Sequence, residues 1–160
     1  MQIRVFAVGR MKKGAEQELA QRYFDRFSKI APLSGLTLSK IVEIGESRAQ
    51  THLQRMEEEG IKLLETLPVN GQLIVLDERG IHYSSSNFSK KIENYRDSGH
   101  RHLTIALGGP DGHSDDIRKR ADLILSFGAM TWPHQIARIL LAEQLYRAAT
   151  ILNGHPYHRV

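Results

Sequence analysis

Near its end the chain places two imidazoles, a phenol and a guanidinium around a proline: Asn153-Gly154 is followed by His155-Pro156-Tyr157-His158-Arg159. Groups of these types donate, accept and titrate near neutral pH and stack on bases, which suits general acid–base work or contact with RNA. The spacing of His155 and His158 would also fit a metal pair. Only His134 and scattered carboxylates offer further ligands, however, and no H-E-x-x-H motif or cysteine pair exists, so no metal site is expected. A plainer reading has Pro156 and Tyr157 pinning the C-terminus to the core. Arg147 leads into this tail. It stands four residues after Glu143, the spacing of a helix salt bridge.

A second set of candidates is glycine-rich. Leu107-Gly108-Gly109-Pro110-Asp111-Gly112 follows a strand-like run, the position at which open α/β sheets bind ligands. Paired glycines admit a ligand close to the backbone, and Pro110 stiffens the turn. The spacing is neither G-x-G-x-x-G nor a P-loop, and an ordinary strand–helix turn is the alternative. The segment Ser126-Phe127-Gly128-Ala129-Met130-Thr131-Trp132-Pro133 is small and apolar, as cofactor pockets are, although a buried crossover would look the same. At Leu76-Asp77-Glu78-Arg79-Gly80, Asp77 either orients a cofactor or forms a turn with Arg79. Arg10, Lys12 and Lys13 fall in a loop and are either phosphate contacts or simply solvated.

The elements that must position these groups alternate in type. Strands are expected at Ile3–Val8, Leu36–Ile44, Gln72–Leu76, His102–Leu107 and Leu123–Phe127. Helices are expected at Gly14–Ile30 (Leu19, Tyr23 and Phe27 on one face) and from Ser47, as N-cap, to Leu67. That second helix carries Leu53, Met56, Ile61, Leu64 and Leu67 as its apolar stripe. Two more are expected from Ser84–Ser86 to Tyr95 and around Ser114–Arg120. The last helix has Pro133 in its first turn, Thr131 or Trp132 as its cap, and a stop at Asn153-Gly154. The alternation predicts one α/β domain over residues 1–160, with a mostly parallel sheet and helices on both faces.

Composition narrows the function classes. The 160 residues are 41% hydrophobic and 25% charged, in the range of a globular protein. A net charge of +4, from 22 basic and 18 acidic residues, favours a polyanionic partner, RNA foremost. The absence of cysteine excludes disulfides, thiolate zinc sites and a cysteine nucleophile. With no signal-peptide pattern and no run of ~20 apolar residues, the expectation is a soluble, cytoplasmic protein without a membrane partner. A serine hydrolase is disfavoured by the lack of a G-x-S-x-G elbow.

Taken in order, the glycine loop at 107–112, Thr131-Trp132-Pro133-His134, Ala142-Glu143-Gln144-Leu145-Tyr146-Arg147-Ala148 and the terminal His155-Pro156-Tyr157-His158-Arg159 resemble one family over essentially the whole chain. It is the SPOUT-class large-subunit ribosomal RNA methyltransferase H family, which modifies pseudouridine at N3. The resemblance implies an α/β sheet with a C-terminal trefoil knot, S-adenosylmethionine as cofactor, and a homodimer whose sites are completed by the partner subunit. It implies cofactor contacts at Leu76, Gly109, Gly128, Ala129, Met130, Thr131, Trp132 and Pro133, and chemistry at Arg147, Tyr157 and His158. The implied substrate is ribosomal RNA in the ribosome or its large subunit. Trp132 departs from the family, standing where an aliphatic residue is common. The rival reading is a non-enzymatic ribosome-binding or assembly factor with a vestigial cofactor pocket.

Overall fold

In the first strand Ile3, Val5 and Ala7 face one apolar layer while Phe6 and Val8 face another. The alternation of a strand thus sends apolar side chains to both sides, as a sheet covered on two faces requires. The computed structural model, which describes residues 1–157, forms this sheet from five strands: β1 (Gln2–Val8), β2 (Thr37–Ile44), β3 (Gln72–His82), β4 (His102–Leu107) and β5 (Leu123–Ser126). All pair parallel, in the order β2-β1-β4-β3-β5. The helices are α1 (Ala15–Ile30), α2 (His52–Thr66), α3 (Ser85–Asp97), α4 (Asp115–Arg120) and α5 (His134–Leu152), with a 3-10 turn at Ala31–Ser34.

On one face α1 and α3 both pack on α5, burying Phe24, Phe27, Phe88, Ile92, Leu141 and Leu145 against β1, β3, β4 and β5. On the other face Leu63 of α2 and Ile117 of α4 cover Phe6, Leu73, Val75 and Ala106. The expected α/β architecture with helices on both faces is present. No helix is long and apolar enough to cross a membrane among the described residues.

Four expectations are corrected. The second helix starts at His52, capped by Thr51, whose hydroxyl accepts the Gln54 N–H at 3.2 Å. Ser47 instead donates its backbone N–H to Glu59 at 2.8 Å and its hydroxyl to Glu58. Both residues are good caps, and the carboxylates of the helix select between them by holding Ser47 in the chain ahead of the helix. The stripe of α2 is also only partly as expected: Met56 is half-buried and Leu67 packs on the core, but Leu53, Ile61 and Leu64 are exposed, whereas Glu59, Gly60 and Leu63 turn inward.

At the last helix Pro133 occupies the N-cap position itself, and no side chain caps the helix. Neither Thr131 nor Trp132 serves there.

β3 continues six residues beyond Leu76. Leu76 and Ile81 both lie opposite Leu125, so Asp77–Gly80 bulges out of the ladder. Within the bulge Asp77 accepts the Arg79 N–H at 3.0 Å, the turn envisaged for that pair. Gly80 brings the chain back against β5; a Cβ there would lie 2.6 Å from the Leu125 carbonyl carbon.

Candidate active site

The loops leaving β3, β4 and β5 converge at the carboxyl ends of these strands, where a parallel sheet binds ligands. They enclose a cavity of about 260 Å³. Its walls are apolar at Leu76, Leu107, Leu125 and Phe127, and its rim carries Asp77 and Arg118. Of the residues expected to bind a cofactor, Leu76, Gly109, Gly128, Met130, Thr131 and Trp132 line this cavity. Ala129 lies in the same loop without lining it, and Pro133 lines a neighbouring cleft.

The glycine loop is held from outside. Arg55 of α2 donates Nε to Asp111 at 2.7 Å and a second nitrogen to the other oxygen at 3.2 Å. That guanidinium keeps the Asp111 carboxyl below the usual carboxylate range. Behind the loop lies Glu59, 5% exposed, whose carboxyl is pushed up by burial and drawn back by the Ser47 N–H. A Cβ on Gly109 would sit 2.7 Å from the Glu59 Oε2 and 3.1 Å from Val8. Only a bare backbone passes between this floor and the cavity.

His113 ends the loop and is buried; burial pushes its imidazole down to about 4, so it is neutral at physiological pH. Arg118 ties the rim together by donating to the His113 carbonyl, to Asp77 at 3.1 Å and to Asp115 at 2.6 Å. The loop after β5 is stiffened by Ser126, whose hydroxyl accepts the Gly128 N–H at 3.1 Å and donates to the Gly128 carbonyl at 2.9 Å.

Arg147 and Tyr157 lie elsewhere, and neither lines the cavity. Both converge on Glu143: Arg147 donates to its Oε1 at 2.6 and 2.9 Å, and the Tyr157 hydroxyl reaches the same oxygen at 3.2 Å. The helix salt bridge read from the spacing is therefore present. The ring of Tyr157 packs on Tyr146, with centroids 4.7 Å apart. Burial, a hydrogen bond with Tyr23 and the charge of Glu143 push the Tyr157 phenol up to about 12. At neutral pH it is a protonated donor. His158 and Arg159 lie outside the described residues.

Sequence reasoning missed Arg55, Glu59, Arg118 and the buried Arg138. The only available signal for the last was a charge inside the apolar stretch of α5.

A family model described as "Predicted SPOUT methyltransferase" matches residues 1–158, and the chain belongs to that family. A protein of Bartonella tribocorum named "Ribosomal RNA large subunit methyltransferase H" is 67% identical over 159 residues, spanning 99% of each chain. A Mesorhizobium japonicum protein of the same name is 54% identical over 99% of each. In structure the chain resembles a probable methylase family protein from Haemophilus influenzae, with a TM-score of 0.52 over 99% of this chain and 70% of that one. At 8% identity that likeness is one of fold.

Proposed function

We propose that this protein is an S-adenosylmethionine-dependent methyltransferase that acts on large-subunit ribosomal RNA, at N3 of a pseudouridine, in the cytoplasm. The observation that carries the reading is the cavity between the glycine loop and the 126–132 loop in a chain of SPOUT family sequence. The residues present suit the cofactor: an apolar slot for a flat base, backbone left bare at Gly109, and a charged rim at Asp77 and Arg118. Leu76, Gly109, Gly128, Met130, Thr131 and Trp132 would hold it, with Ala129 and Pro133 shaping the same loop. The group supplies a methyl already activated on a sulfonium.

What remains for the protein is orientation and the proton. An imide N–H must be lost as the nucleophile attacks, and positive charge over the resulting anion lowers the barrier. Arg147 supplies that charge. Tyr157, protonated at neutral pH, takes no proton; it holds the base when its hydroxyl turns from Glu143 to donate to it. His158 is assigned the proton.

The tail and the cavity belong to different subunits of a homodimer in this proposal. Along α5 the rise from His134, which lines the cavity, to Arg147 is about 20 Å, too far for one chain's tail group to serve its own cavity. The trefoil threading implied by the resemblance belongs to the same proposal. So does recognition of the assembled ribosome, since a chain this small has little surface for reading naked RNA.

Calorimetry with S-adenosylmethionine, followed by mass spectrometry of rRNA from a deletion strain with and without complementation, tests the reading. Saturable binding and a methyl on one pseudouridine support it. A basic, ribosome-bound protein with no cofactor affinity would instead be the assembly factor.

A further inference from the structure

Beside the cofactor cavity lies a second cleft, of about 450 Å³, that the mechanism above does not use. It opens between the loop after β1 and the first turn of α5, and His134 belongs to the walls of both. The cleft and the cavity are therefore neighbours across one side chain.

Two independent features equip it for a polar ligand. The first turn of α5 has no side-chain cap, and the first intrahelical bond runs from the Ala137 N–H to the Pro133 carbonyl. The N–H groups of His134, Gln135 and Ile136 consequently have no partner within this 19-residue helix, at its positive end. On the floor Arg138 is 3% exposed; it donates to Glu43 and, at 2.8 Å, to the Gly9 carbonyl, while its Nε has no partner among the described residues. Its charge is balanced by Glu43, so its contribution is to fix the loop after β1 against α5 and leave one buried donor unmet. Around this floor Met11 and Ile136 supply apolar surface, the exposed Arg10 supplies a cation that makes no ion pair among the described residues, and Glu16 opposes it.

We propose that this cleft receives a nucleotide of the RNA substrate beside the methyl donor. Its phosphate lies on the uncapped first turn of α5 and Arg10, and its base lies against Met11 and Ile136. The inference rests on the RNA methyltransferase reading and adds to it where the strand runs. Arg10 becomes a phosphate contact rather than a solvated loop residue, and Glu16 a brake on affinity.

The test is methyl transfer to isolated large ribosomal subunits at saturating S-adenosylmethionine, across about 50 to 200 mM KCl. Arg10→Ala is expected to raise KM about tenfold and to flatten the salt dependence of log KM by about one unit of slope. The kcat and the S-adenosylmethionine Kd from calorimetry stay within twofold, roughly the scatter of such comparisons. Glu16→Gln is expected to lower KM. Both positions are exposed, so folding is not at stake. An Arg10→Ala enzyme with unaltered KM and slope, in an active wild-type background, overturns the cleft alone. A wild-type protein that neither binds S-adenosylmethionine nor transfers methyl overturns the methyltransferase reading and the cleft with it.

Discussion

The guanidinium of Arg147 lies 4.9 Å from the centroid of the Tyr157 ring, and both side chains address a single oxygen of Glu143. A cation, a ring face and a hydroxyl are thus locked at the end of α5, the carboxylate using its other oxygen to accept from Gln144 at 2.6 Å. Arg147 and Tyr157 are thereby held in one arrangement, the preorganisation that the proposed stabilisation of an anion needs.

Glu143→Gln weakens that lock without touching the cavity. The expected outcome is a loss of about 10²-fold in kcat for rRNA methylation, with S-adenosylmethionine affinity unchanged by calorimetry. Parallel loss of cofactor binding would show that the cluster also holds the cofactor, against the division of roles proposed.

Gly109→Ala puts a methyl 2.7 Å from Glu59 Oε2, inside van der Waals contact. Since the acid is buried and its other oxygen holds the Ser47 N–H, relief costs either that bond or a shift of the loop. Cofactor affinity is expected to fall at least about tenfold, a cost on the order of 1.4 kcal/mol. Shortening the acid as well, in Gly109→Ala with Glu59→Ala, should recover part of it. Calorimetry on the single and double variants checks both.

Stability should respond to pH through His113. Its folded-state pKa of about 4 lies below the ordinary 6.5, so the unfolded chain takes up a proton that the folded chain refuses. The contribution is complete above about pH 6.5 and is lost as pH falls toward 4, by on the order of 3 kcal/mol. Glu59, pushed up by burial, works in the opposite direction, so the comparison is between the wild type and His113→Leu. Urea unfolding at several pH values should show the wild-type stability falling relative to the variant across that window; parallel curves would refute the assignment.

Much of this architecture is legible in the sequence because its signals are local. Short, nearly unbroken apolar runs at Ile3–Val8 and Leu73–Leu76 give buried strands, and the serines at 84 and 114 cap α3 and α4 as their positions suggest. The glycine loop and the 126–132 segment also reach the cavity. What stays hidden depends on distant partners. Whether Ser47 or Thr51 caps α2 is settled by Glu58 and Glu59 folding back on Ser47. The extension of β3 is masked by a polar bulge, and its return at Gly80 is defined only by contact with β5. Arg138 reads as one more charge on a helix until the fold sets it against Glu43 and Gly9. The separation of Arg147 and Tyr157 from the cavity is likewise invisible in a linear motif order.

That separation is the centre of the account, and subunit mixing tests it most directly. One inactive variant carries Gly109→Arg, which blocks the cavity; the other carries Arg147→Ala, which disables the tail. Co-refolded, half of the dimers would pair one of each and hold one intact composite site. Methylation of large ribosomal subunits should then return to about a quarter of the wild-type level per site, as a symmetric dimer with shared sites requires. No recovery in mixed dimers, with each variant still folded and the Arg147→Ala chain still binding S-adenosylmethionine, would contradict the claim that the tail of one subunit serves the cavity of the other.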